Sequence, residues 1–438
     1  MGITTCSIFF LLLSFVQFPQ SQSLNNDPPV DQRIELLGST ELSGSALDKS
    51  GLDNSFDAVS CNNMLGGFSG IAYSGKDDIY YVLSDRGPQD GAVDWSCRVQ
   101  KIRISISNQG GRKIKPELLE SILLEDETGR PFTGLASAFR PTVQGASLGP
   151  NHSSGPSRFD PEGIRVGNQG QLFISDEYGP RVIEFTAGGK MTGEIAMPDK
   201  LLIDSPGINK SEENRQNDFG RQSNRGMEGL AISQDRQTLY GLIQSPLLQD
   251  SMRTEVTHAM NSPKSADHES SVTTPVETVG PQQIITGLNC RLLQFSVLGE
   301  HQKEMLYHLD QSANKLNEIL AVDEDQFVVI ERDGLAGVEA RFKKIMLIST
   351  KNATDISAIE QLPPQKIPPT VTPIEKRVLI DLLDPRWDLA GEKMPEKIEG
   401  LAFGPRLPDG RRILIVTSDN DFELSNPSQF YVFAIPGI

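Results

Sequence analysis

The sequence predicts an all-β fold: a ring of four-stranded antiparallel blades, a β-propeller, with five repeats counted and room for a sixth. Three observations predict it. A Gly-hydrophobic-Ala-like phrase recurs five times along the 438 residues. Each copy leads through a turn into a short run rich in Val, Ile, Phe and Tyr, the composition of a strand. Gly (39) and Pro (28) are plentiful, which suits many tight turns better than a helical bundle.

The first copy occupies residues 68–73, turns through Lys76, Asp77 and Asp78, and continues over 79–85. The second pairs 161–166 with 172–176, and the third pairs 227–232 with 239–245. The fourth, weaker, pairs 317–322 with 327–331, and the fifth pairs 398–403 with 413–419. A third alternating run follows every copy, at 99–104, 181–185, 291–297, 344–348 and 430–434. A fourth is visible after most, at 194–197, 305–309 and 377–381. The fifth copy ends after its third run, and residues 33–37 are the candidate for its missing strand. Closure of that kind hides the edges that an open sheet exposes.

The copies lie mostly further apart than the ~40–45 residues of a minimal blade. The surplus falls in polar loops at 126–159, 205–225, 246–283 and 350–373, none with a hydrophobic period of its own. They read as insertions in one domain over 60–438, preceded by a segment at 24–59. The longest, 246–283, joins the second and third strands of its blade. It is expected to emerge over the site as a mobile cover.

Residues 1–23 read as a signal peptide: an apolar run too short to cross a bilayer, then small residues Ser21 and Ser23. No Lys or Arg precedes the run, and a buried strand is the alternative. The expected mature chain is secreted or periplasmic. Of its cysteines, Cys61 and Cys97 flank the first repeat and are one candidate disulfide; three unpaired thiols are the alternative. The net charge of −17 argues against a nucleic-acid partner and against docking on anionic lipid.

Geometry then gathers the acids. Strands within a blade are antiparallel, so the residue opening the first lies beside the residue closing the second. The first strand is innermost, which brings these pairs to one mouth of the central channel. They are Ser69 with Asp85, Glu162 with Asp176, Glu228 with Gln244 or Ser245, Glu318 with Glu331, and Glu399 with Asp419. Glu177, Asp333 and Asp421 lie a residue or two further on. Two unit charges 5 Å apart at an effective dielectric of 20 repel by about 3 kcal/mol. Protonation or a bound cation must relieve such a ring. Calcium suits it outside cells, because it accepts about 6–8 oxygen ligands without strict geometry. Glu162, Glu228, Glu399, Asp85, Asp176 and Asp419 are the candidate ligands. The plainer alternative makes Glu-Gly a turn signal, with the carboxylate capping backbone N–H groups.

Arg86, Arg165, Arg225 and Arg332 stand near the same positions and could hold an anion or pair with the acids. The five His residues all lie outside the repeats, which disfavours a His-based zinc site and a Ser-His-Asp triad. There is no P-loop or dinucleotide fingerprint.

Four stretches carry a family likeness: 68–87; 160–180 with Asp-Pro-Glu-Gly-Ile and Ser-Asp-Glu; 224–246 with Asn-Arg-Gly-Met-Glu-Gly-Leu-Ala; and 399–421. Together the chain resembles the phytase-like family, the esterase-like domain of phytase, over roughly 60–436. The resemblance implies a β-propeller whose recurring Glu and Asp residues hydrolyse phosphoesters. The fourth copy lacks Gly after Glu318, and the first has Ser69 in place of Glu, so those blades are expected to contribute less. The combined expectation is a calcium-dependent hydrolase of a small phosphorylated substrate, with Glu162 as general base and Asp176 and Arg86 as further catalytic candidates. A non-catalytic binding propeller with a structural cation is the alternative from another class. A metal-dependent lactone or carboxyl-ester hydrolase is the third.

Overall fold

The computed structural model describes residues 33–57, 60–107, 113–135, 158–207, 210–256 and 282–437. The expected signal segment lies outside them, as does most of the expected cover at 246–283. Chain order begins with β1 (Glu35–Leu42). The first full blade is β2 (Phe68–Tyr73), β3 (Ile79–Ser84), β4 (Arg98–Ser107) and β5 (Lys113–Leu123). The second is β6 (Pro161–Val166), β7 (Leu172–Asp176), β8 (Arg181–Phe185) and β9 (Met191–Ala196). A short helix, α1 (Lys210–Gln216), precedes the third. That blade is β10 (Met227–Ile232) and β11 (Thr238–Ile243), a separate hairpin β12 (Met252–Val256) and β13 (Gln282–Thr286), then β14 (Asn289–Ser296) and β15 (His301–His308). The fourth is β16 (Lys315–Ala321), β17 (Gln326–Arg332), β18 (Lys343–Ser349) and β19 (Glu375–Asp381). The fifth is β20 (Lys397–Arg406), β21 (Arg412–Asp419) and β22 (Ser428–Ile435). Its fourth strand is β1, antiparallel to β22, so the two ends of the described chain share one sheet.

The result is a β-propeller of five blades, all antiparallel. The innermost strands β2, β6, β10, β16 and β20 each pack against the next around the ring. Apolar side chains fill every seam between blades. Ile164 and Ile174 meet Leu83 and Val99 at one; Tyr240 and Leu292 meet Phe327 and Val329 at another. Ile415 and Phe430 of the fifth blade pack on Phe68 and Ile102 of the first, which closes the circle. Both faces of a blade are thus covered, which is why its inner strands read as continuous apolar runs rather than alternating ones.

Cys61, Cys97 and Cys290 are all free thiols. Cys61 donates to Asn63 Oδ1 at 3.0 Å, and Cys97 is buried against the Phe159 carbonyl at 3.4 Å.

One local feature recurs and decides where the acids point. Each inner strand carries a β-bulge at the position of the repeated Glu. Met227 pairs with Ile243 and Gly229 with Leu242, so Glu228 is the extra residue. The same shift falls at Ser69 and at Glu399, and within 161–164 and 316–319. A bulge releases one residue from the ladder and re-aims its side chain. The Gly that follows has its own cause. A Cβ on Gly229 would sit 2.4 Å from the Asn317 carbonyl oxygen, and one on Gly70 would sit 2.3 Å from that of Glu162. Neighbouring blades approach too closely there for any side chain.

Candidate active site

The bulges of the second, third and fifth blades bring Glu162, Glu228 and Glu399 together. One carboxylate oxygen from each lies within 4.8 Å of the others. All three are buried, at 7%, 6% and 5% exposed. The fourth blade sends Asn317 rather than Glu318 to this point. The Asn317 amide donates to Glu228 Oε1 at 2.6 Å and to Glu399 Oε1 at 3.2 Å. Glu318 turns instead to Arg165, 2.7 Å away, and accepts the Leu230 and Ile319 N–H groups. The Arg165 guanidinium also bonds the carbonyls of Ile71 at 3.1 Å and Ile319 at 2.7 Å. It therefore ties inner strands of three blades together and is not available to a ligand.

A second group shares Glu162. Asp160, Glu162 and Glu177 also offer oxygens within 4.8 Å of one another. Here a cation is already present: Arg86 Nη1 lies 2.8 Å from Asp160 and 3.9 Å from Glu177, and the same guanidinium pairs with Asp90. Arg86 is thus placed beside the carboxylates as an internal counter-ion.

The strand-closing acids sit at the same end of their blades but are used elsewhere. Asp176 lies opposite Arg181 on β8 and accepts from its Nε at 2.7 Å, as well as from the Asp160 and Tyr178 N–H groups. Asp419 lies opposite Lys397 on β20 and accepts from its Nζ at 2.7 Å. Asp85 accepts from the Gly87 N–H at 3.0 Å. Glu331 binds Tyr307, Asn314 and Lys376. Opposite charges facing across a strand pair attract, and that draws Asp176 and Asp419 away from the group of three.

Electrostatics follow from the packing. Burial, then Glu228 and Asp160, push the Glu162 carboxyl well above the usual carboxylate range. Burial, then Glu177 and Glu399, do the same to Glu228. Glu399 is raised by burial and restrained by Lys397 and Arg332; Arg332 Nη2 lies 2.6 Å from its Oε1. Burial also lifts Asp160 to about 7 against the pull of Arg86, and Glu318 to about 7 against that of Arg165. Burial and Asp419 raise Asp85.

The donor set suits a hard cation. Glu228 Oε2 and Asn317 Oδ1 are buried without a hydrogen-bond partner. Among the described residues the Glu162 carboxylate also has none. A buried polar atom left without a partner costs about 1–3 kcal/mol, more when charged. Oxygen-only donors converging from three blades are what calcium or a similar ion requires. Asp160 and Asn317 were not singled out in advance, although Asp160 stands two residues before Glu162 and Asn317 directly before Glu318.

The family described as phytase-like, esterase-like activity of phytase, matches residues 63–422. An uncharacterized secreted protein of Arthroderma benhamiae is 34% identical over 212 residues, 40% of this chain and 41% of that one. The match thus spans about two fifths of that relative's length. Solved structures are similar only distantly. A gluconolactonase of Xanthomonas campestris shares 10% identity over 91% of this chain and 100% of its own, with a TM-score of 0.32. A luciferin-regenerating enzyme shares 11% over 85% and 93%, with a TM-score of 0.31. Virginiamycin B lyase of Staphylococcus aureus shares 10% over 91% and 99%, with a TM-score of 0.31. No chemistry is carried over from likenesses so remote.

Proposed function

From the premise that this chain belongs to the phytase-like family, we propose that it is an exported, calcium-dependent hydrolase of phosphoric esters acting at Glu162, Glu228 and Glu399. One observation carries the reading: three buried carboxylates converge from three blades, and Glu228 Oε2 among them has no partner. Export is favoured by the apolar N-terminal run. It is also favoured by the relative's being called a secreted protein. No described helix is long and apolar enough to cross a membrane.

Glu162, Glu228 and Glu399 would hold the ion, with Asn317 Oδ1 as a further oxygen donor. Bound there, calcium would polarise a phosphoryl oxygen and lower the pKa of a water. Glu162 is the general base. It is shared by both acid groups, makes no competing hydrogen bond, and burial among other acids raises its affinity for a proton. Asn317 orients Glu228 and Glu399 through one amide. Asp176 accepts the Asp160 N–H just before β6 and the Tyr178 N–H in the turn after β7, a positioning role.

The test is a panel of phosphate esters, lactones and carboxyl esters, assayed with calcium and with chelator. Phosphate-ester turnover should require calcium, and Glu162→Gln should lower kcat by about 10²–10⁴, the usual worth of a general base. Turnover of lactones or carboxyl esters alone would reassign the substrate class. Calcium binding with no turnover of any ester would make the molecule a binding propeller.

A further inference from the structure

Next to the three glutamates, and outside both acid groups, lies a cavity of about 190 Å³. Its wall includes Arg225, Lys315 and Lys210, with the polar side chains of Gln222, Ser223 and Asn224. Lys315 stands two residues before Asn317 on β16, and Arg225 three before Glu228 at the entry to β10. The cavity thus lies between α1, the segment leading into β10, β13 and the start of β16.

Its cations are unusual in this molecule. Arg86, Arg165, Arg181, Arg291 and Arg332 are all in ion pairs. Among the described residues, Arg225 and Lys315 form none; the single polar contact of Arg225 is to Ser245 Oγ at 3.4 Å. Both are half-buried, and each lies close enough to Arg332 to be disfavoured by it. Burial, then Arg332 and Arg225, bring Lys315 down to about 8. Glu177 and Glu228 act on Arg225, and Glu228 and Glu399 on Lys315, only from beyond ion-pair distance, so two adjacent cations keep free donors for an anion.

We propose that this cavity is a phosphate-binding site, in which Arg225 and Lys315 hold the oxygens of a phosphoryl dianion beside the glutamates. Arg supplies a forked pair of donors and Lys a compact charge, the pairing that phosphate recognition employs. The dianion relieves the repulsion between the two cations. The occupant is either the phosphoryl group of an ester or free phosphate. The proposal deepens the hydrolase reading, but the cavity and its test stand without turnover.

Calorimetric titration of the full chain with inorganic phosphate, in chelator so that no ion can hold the anion, tests it directly. The wild type should bind, and Arg225→Gln and Lys315→Met should each weaken binding at least tenfold. Lys315→Arg should restore most of it, which a merely structural role for Lys315 would not produce. Glu399→Gln should leave phosphate binding in place. A phosphate monoester binding as tightly as phosphate assigns the cavity to substrate; phosphate alone assigns it to product. No binding by the wild type, or equal binding by folded Arg225→Gln and Lys315→Met, overturns the site. Loss of phosphate binding in those variants, in a chain that hydrolyses nothing, would uphold the site and remove the hydrolase reading.

Discussion

Two acid groups share Glu162, and they differ in what neutralises them. Around Asp160 and Glu177 the chain supplies its own cation, Arg86, at 2.8 Å from one and 3.9 Å from the other. Around Glu228 and Glu399 it supplies less. Arg332 reaches Glu399 at 2.6 Å, and one oxygen of Glu228 is left with nothing. Both groups are buried, and in each the carboxylate oxygens lie within 4.8 Å of one another. What separates an internal salt bridge from a candidate cation site is therefore not the number of carboxylates. It is the reach of the arginine: Arg86 lies within 3.9 Å of both Asp160 and Glu177, one of whose oxygens also lacks a hydrogen-bond partner, whereas Arg332 forms an ion pair with Glu399 and not with Glu228.

The strongest way to break this comparison is to remove Arg86. Arg86→Met would leave Asp160 and Glu177 buried with no counter-ion. Breaking a buried pair on one side costs about 3–5 kcal/mol, because the remaining charge is uncompensated. Denaturant unfolding at pH 7.5 should show a loss of that size, shrinking at lower pH as Asp160 takes up its proton. Glu228→Gln, by contrast, should cost nothing in chelator and should remove a calcium ligand. If the two variants lose the same stability, the groups are not different in kind.

A second, smaller intervention acts through the backbone. Gly229→Ala places a Cβ 2.4 Å from the Asn317 carbonyl oxygen and so pushes the third and fourth blades apart at the bulge. Overpacking of this kind typically costs about 1–3 kcal/mol. The shift should also separate Glu228 from Asn317 and weaken calcium binding, while Arg86 and Asp160, on other blades, keep their contact. Gly188→Ala is the control, since the nearest atom to its Cβ would be 3.8 Å away. Equal melting temperatures and calcium affinities for the two variants would show that the seam has slack.

The ring of blades was legible because apolar runs and turn residues repeat with the fold. Glu162, Glu228 and Glu399 were legible because each sits in the same phrase before Gly. Other parts were hidden by two effects that a period of two does not carry. The bulge in β16 exchanges the roles of neighbours, so Asn317 faces the glutamates while Glu318 pairs with Arg165. The signal was the missing Gly after Glu318. Cross-strand pairing then captured Asp176 and Asp419, because Arg181 and Lys397 stand directly opposite them. Which residue faces which across a ladder depends on register, and register is fixed only when the blade is assembled. Lys315 carries no motif at all; its interest lies in forming no ion pair with the acids near it.

The smallest expected effect concerns pH, and its sign separates the groups once more. Burial and its acidic neighbours raise the Glu228 carboxyl well above its ordinary value of 4.5. Across the interval between those two values, the folded state binds more protons than the unfolded one. Stability is then fully present below about 4.5 and is lost as pH rises through the folded value. Each unit of separation corresponds to about 1.4 kcal/mol. In chelator, Glu228→Gln should therefore match the wild type near pH 4 and gain on it steadily through neutral pH. Calcium should reverse the order, because the ion stabilises the charged form that the variant lacks. At a hundredfold excess over Kd, a bound ion adds about 2.7 kcal/mol to the wild type. Glu177→Gln, beside Arg86, should show a smaller response to calcium at every pH. Melting curves of the three proteins from pH 4 to 8, with calcium and with chelator, read all of this in one series. A wild type that calcium leaves unmoved at pH 8 would remove the cation from Glu228.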